Sequence, residues 1–298
     1  MIPNSILVLN GKGGVGKTSL TANLAGLAAL SGWRVLAVDL DPQGNLGRDL
    51  GYLADADDGQ TLASAAAEGT RPEPLRDVRP GLDVLAGGPA LDGLVADLQR
   101  ALLGGELAAV DRLGAALGAA AADYDLVVID SPPGEALLHA AAVRAVHYIV
   151  IPTRADAASV DGLGRVAAVV AREGAANPGL EVLGVVLGPL PTQARAIARR
   201  TRAELVELLG EGIVIFDAII RDVPRAAVDC RGRGVLAHEY EEAARGAPRW
   251  WERRRGGDGE GFSDAAAGLA GDYQALVKEI LGRFTERQKA SAVAAGEG

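Results

Sequence analysis

Short apolar runs recur along the chain, separated by longer stretches with helical spacing. Ile6–Leu9, Trp33–Val38, Leu82–Leu85, Tyr124–Ile129, His147–Pro152, Leu180–Leu187 and Ile213–Phe216 run out at Gly, Pro, Asp or Asn. Most show no apolar–polar alternation, which predicts strands buried on both faces. Between them, 17–30 carries Leu20, Leu24 and Leu27 at helical spacing, and Thr61–Glu68, Leu91–Leu102, Leu107–Ala122, Ala157–Arg172 and Thr192–Leu209 also read as helices. Asp272–Gln288 sets Leu276, Val277, Ile280, Leu281 and Phe284 on one side. Strand and helix in alternation predict an α/β fold, a mostly parallel central sheet with helices on both faces. The pattern gives one domain over 1–289, interrupted by a charged, Gly-rich insertion at 245–264, and a tail over 290–298.

The first strand runs into Gly11-Lys12-Gly13-Gly14-Val15-Gly16-Lys17-Thr18, followed by Ser19 and the first helix. This is G-x-x-x-x-G-K-[ST] in its proper strand–loop–helix setting. Small residues let backbone N–H groups curl round a polyphosphate, and the helix turns its positive end toward the same charge. Lys17 is the expected β/γ-phosphate lysine and Thr18 the hydroxyl ligand of Mg²⁺. Lys12 gives the loop a second cation. Two further strands end in carboxylates, Asp39-Leu40-Asp41-Pro42-Gln43-Gly44-Asn45 and Ile129-Asp130-Ser131-Pro132-Pro133-Gly134. At the carboxyl ends of strands beside a phosphate loop, Asp39 and Asp130 suit the metal side and Asp41 a water before the γ-phosphate.

Composition narrows the chemistry. The single cysteine, Cys230, rules out a disulfide framework or a Cys-rich metal centre within one chain. No 18-residue apolar span is present, and no secretory signal is expected, so the cytosol is the default. Net charge is −9, but residues 1–190 hold 13 basic and 22 acidic side chains and residues 191–298 hold 17 of each. Within that neutral part, Arg195, Arg199 and Arg202 fall on one helical face beside Arg200, with Arg221 and Arg225 further on. They read either as a solvated face answered by Glu204 and Glu207 or as a DNA-phosphate contact surface. Trp250-Trp251 beside Arg253-Arg254-Arg255 allow base stacking, or simply fold the insertion back onto the body.

Lys12 with Lys17, the Asp39–Asn45 stretch and Ile129–Gly134, in this order and spacing, resemble the ParA family of DNA-partition ATPases, P-loop NTPases of the deviant Walker A type. The resemblance implies ATP and Mg²⁺ as ligands, with Gly11–Ser19 holding ATP. It implies a sandwich homodimer in which Lys12 reaches the partner's phosphates, Asp41 activating water, and Asp130 holding the metal's water shell. It further implies non-specific binding to double-stranded DNA near the nucleoid, and a ParB-like adaptor that stimulates slow hydrolysis. Two alternatives stay open: a membrane-associated positioning ATPase of the MinD-like type using the amphipathic stretch at 272–289, and a nucleotide-binding scaffold without turnover.

Overall fold

The computed structural model describes residues 1–191, 195–210, 212–247, 262–263, 266–294 and 296, with backbone alone at 157–161, 195, 266 and 294. Most of the expected 245–264 insertion, including Trp250, Trp251 and Arg253–Arg255, lies outside the described residues.

The strands are β1 (Ser5–Val8), β2 (Val35–Asp39), β3 (Leu75–Arg79), β4 (Leu82–Leu85), β5 (Leu126–Asp130), β6 (Tyr148–Thr153), β7 (Glu181–Leu190) and β8 (Ile215–Arg221). They form one sheet in the order β3-β4-β2-β5-β1-β6-β7-β8. Only β3 is antiparallel to its neighbour. In the centre, Val8 lies beside Asp130 on one pair of strands and Asp39 lies beside Asp130 on the next. The carboxylates therefore share one level, at the end of the sheet where the glycine-rich loop leaves β1.

The helices are α1 (Lys17–Leu30), α2 (Leu46–Leu50), α3 (Gln60–Glu68), α4 (Ala90–Leu103), α5 (Arg112–Ala121), α6 (Ala136–Ala145), α7 (Ala157–Gly174), α8 (Arg195–Leu209), α9 (Pro224–Arg233), α10 (Ala237–Gly246) and α11 (Ala266–Ala294). Side-chain alternation on the strands divides the core in two. Leu7, Leu36, Val38, Val127 and Ile129 join one cluster with Leu91, Leu113 and Leu138. Ile6, Val8, Val35, Ala37 and Val128 join the other with Leu24, Tyr240 and Phe284. Both faces are covered, so the strands read as unbroken apolar runs.

Helix α11 covers one face and the sheet edge together. Leu276, Ile280 and Phe284 are fully buried, and the Phe284 ring packs edge-on against Tyr148, with centroids 5.4 Å apart. Glu279 accepts the backbone N–H groups of Asp217 and Ala218 at 2.7 and 2.9 Å, satisfying part of the open edge of β8. The apolar side of the expected amphipathic stretch is thus spent inside the protein. Among the described residues no helix is long and apolar enough to cross a membrane.

Some boundaries differ from the sequence pattern. The expected helix at Leu107–Ala122 divides into a 3-10 turn over Leu107–Asp111 and α5. The strand expected at Ile213–Phe216 runs from Ile215 to Arg221, so Arg221 lies on a strand. The tail expected at 290 begins inside α11, because the Ala-rich sequence continues its helix to Ala294.

Behind the carboxylates the packing leaves no room for a side chain at Gly87. An added Cβ there would sit 2.6 Å from the Asp41 carbonyl oxygen and 2.7 Å from Asp39 Cγ. Gly87→Ala is expected to cost roughly 1–3 kcal/mol through this overpacking, read as a lowered midpoint in urea unfolding.

Candidate active site: a phosphate cleft over buried carboxylates

The loop between β1 and α1 turns on Gly14 and Gly16, at φ of 74° and 87°, the left-handed region that favours glycine. Gly16 is the N-cap of α1, so the helix starts where a phosphate would lie. The two lysines of the loop part company. Lys17 is buried, 6% exposed, and its Nζ donates to the Lys12 carbonyl at 3.0 Å. Burial lowers its pKa, while Asp130 and Asp41 pull it back up. Lys12 instead points to the rim, where its Nζ pairs with Asp156 Oδ1 at 2.7 Å. Asn10 fixes that arrangement by accepting the Lys12 N–H at 2.8 Å and donating to the Pro152 carbonyl.

Beneath the loop the carboxylates take different duties. Asp39 is fully buried, and its oxygens accept the backbone N–H groups of Asp41 and Leu46 at 2.9 and 3.0 Å. It braces the turn from 39 to 46 rather than offering a free oxygen to a metal. Asp41 is 5% exposed, accepts the Gln43 N–H at 2.9 Å, and lines the cleft. Asp130 accepts the hydroxyls of Thr18 and Thr21, the latter at 3.3 Å, while its Oδ2 is buried with no hydrogen-bond partner.

Burial raises the pKa of both inner carboxyls. Burial pushes the Asp130 carboxyl up to about 7, against the pull of Thr18 and Lys17. Burial, then Asp130, holds Asp39 well above the usual carboxylate range. The unpartnered Asp130 oxygen and the adjacent Thr18 hydroxyl are hard oxygen donors that fit Mg²⁺. Among the described residues no group of three or more His, Cys, Asp or Glu forms a ready-made metal cage.

The cleft above has a volume of 360 Å³ and is lined by Gly13, Gly14, Lys17, Thr18 and Asp41 on one side and Ala227, Val228 and Arg231 on the other. It meets a second, more apolar cavity of 130 Å³ bounded by Val186, Ile220, Val223, Leu269 and Tyr273. A charged end next to an apolar end matches a nucleotide's polyphosphate and base.

Residues 4–182 match the family model for an AAA domain, AAA_31. The chain is 32% identical over 238 residues to the chromosome-partitioning ATPase Soj of Thermus thermophilus, covering 78% of this chain and 87% of the relative. It is 31% identical over 303 aligned positions to the chromosome partitioning protein ParA of Caulobacter vibrioides, covering 96% and 97%. This chain belongs to the ParA/Soj family. Its fold is also that of ligand-free McdA from Cyanothece, at a TM-score of 0.68 and 20% identity over 93% of this chain and 99% of that one.

Within this ParA/Soj-family P-loop ATPase the arginines do not form one surface. Arg202 donates to the carbonyls of Ile215 and Phe216 at 2.9 and 2.6 Å, tying α8 to β8. Arg221 makes a two-pronged pair with Asp272 at 2.6 and 2.8 Å, docking α11. Arg199 and Arg200 are exposed on α8, Arg200 at 83% beside Glu204, and Arg225 is 68% exposed on α9. The side chain of Arg195 lies outside the described residues.

Three features escaped the sequence pattern. Asp156 has no motif around it. His139, buried on α6, holds the Pro132 carbonyl at 2.7 Å and so steadies the Ser131–Gly134 loop. Asp49 receives the Ser19 hydroxyl at 2.7 Å, so Ser19 turns its side chain toward α2.

Asp130→Asn removes one of the crowded charges. We expect this variant, without nucleotide or metal, to melt a few degrees above wild type. An equal or lower midpoint by calorimetry would mean that the carboxylates do not strain the ligand-free protein.

Proposed function

We propose that the chain is a Mg²⁺-dependent ATP hydrolase that pairs with a second copy on binding ATP. The dimer binds duplex DNA without sequence preference and partitions or positions DNA with a ParB-like adaptor. The observation that carries this reading is the split of the two loop lysines, Lys17 inward to the cleft and Lys12 outward to the rim. One cation serves the nucleotide of its own subunit. The other, partly exposed and paired with Asp156, would meet a second subunit's phosphates.

Thr18 and Asp130 would hold Mg²⁺, which neutralises phosphate charge when bound. Lys17 adds a buried cation against the same charge, worth more in a dry site than in water. Asp41, at the cleft wall, orients the attacking water and takes its proton. No covalent intermediate is needed, because position and charge neutralisation drive phosphoryl transfer to water. Arg199, Arg200 and Arg225 supply exposed positive charge for phosphate contacts, which carry affinity but no sequence information. Such a protein works in the cytoplasm on the nucleoid. The covered apolar face of α11 weighs against a membrane-surface role.

A gel shift on a random-sequence duplex tests the reading. We expect binding with Mg–ATP, none with ADP or without nucleotide, weakening as salt rises, and loss of the ATP-dependent shift in Lys12→Ala. Equal binding in all nucleotide states would overturn the proposal.

A further inference from the structure

The phosphate cleft and the apolar cavity share Gly16, Ser19, Pro189, Ala227 and Arg231 in their walls. Arg231 is the charged member of that set. Lys17, Thr18 and Asp41 mark the terminal-phosphate end of the cleft, and the cavity beside Val223 and Tyr273 takes the base. The junction between them is therefore where the α-phosphate of a bound nucleotide passes.

Arg231 is held at that junction by a specific brace. Its Nε donates to Asp49 Oδ1 at 2.7 Å, and the Asp49 side chain is only 8% exposed. The other Asp49 oxygen accepts the Ser19 hydroxyl at 2.7 Å. Asp49 thus ties the first turn of α1, directly after the phosphate loop, to the last turn of α9. A buried carboxylate in this position needs a cation beside it, and the pairing orients the guanidinium. The bond uses Nε, and among the described residues the terminal nitrogens meet no other hydrogen-bond acceptor, so the guanidinium fork is available to phosphate oxygens.

We propose that Arg231 is a nucleotide-binding residue that grips the α-phosphate, and that Asp49 is the positioning residue that aims it. This rests on the ATPase reading of the cleft.

Calorimetric titration of the full chain with Mg–ATP and Mg–ADP tests it. Since both nucleotides carry an α-phosphate, Arg231→Gln should weaken both by the same factor, about tenfold or more. Arg231→Lys should recover part of the loss, and Asp49→Asn should raise KM for ATP with little change in kcat. Unchanged Kd for both nucleotides in Arg231→Gln overturns the proposal, as does a loss confined to ATP, which would place the arginine at the γ-phosphate. Should Arg231→Gln fail to fold, Arg231→Lys decides: affinity equal to wild type counts against the proposal. A wild-type chain that binds neither nucleotide would instead defeat the ATPase reading, so the two failures are distinguishable.

Discussion

Asp39, Asp41 and Asp130 are gathered within one buried end of the sheet, with Lys17 as the cation set among them. Carboxylates removed from water and placed together repel, and each costs free energy unless hydrogen bonds or positive charge answer it. The fold answers Asp39 with two backbone N–H groups and Asp41 with one. Asp130 receives hydroxyls at one oxygen and nothing at the other. That leaves one buried carboxylate oxygen whose chemistry fits a divalent cation.

The rest of the molecule serves that cluster. Parallel pairing of β5 with β1 and β2 sets Asp130 level with Val8 and Asp39, so the loop after β1 must pass over the carboxylates. Gly87 lets the end of β4 come close behind them. On the far side of the cleft, α9 is held by the Arg231–Asp49 pair and by the Tyr240 hydroxyl of α10, which donates to Asp229. The same loop faces two ways, with Lys17 committed to the interior and Lys12 to the rim beside Asp156.

Much of this was legible in the sequence, for physical reasons. Strands buried on both faces leave unbroken apolar runs, and a phosphate loop allows few sequences, so β1, the loop, α1 and the ends of β2 and β5 stand out. The antiparallel edge strand β3 did not, because Leu75–Arg79 is half exposed and carries Arg76, Asp77 and Arg79. Helix α6 follows Gly134 without a side-chain cap, and its Ala-rich sequence gives weak periodicity. The arginines show a sharper limit. Spacing put Arg202 on a face with Arg199, yet the nearby carbonyls of β8 draw it inward, and Arg221 serves Asp272 on a strand–helix contact. Long-range pairs such as Asp49 with Arg231 or Lys12 with Asp156 leave no local pattern, since only the fold brings their partners together.

The central claim is that the buried carboxylates are completed by a metal-bound nucleotide. Titrating the wild-type protein with ATP in Mg²⁺ and again in EDTA, by calorimetry, tests it most directly. The account predicts binding at least about tenfold tighter with Mg²⁺, a difference of about 1.4 kcal/mol or more. Equal affinity in Mg²⁺ and EDTA would contradict it.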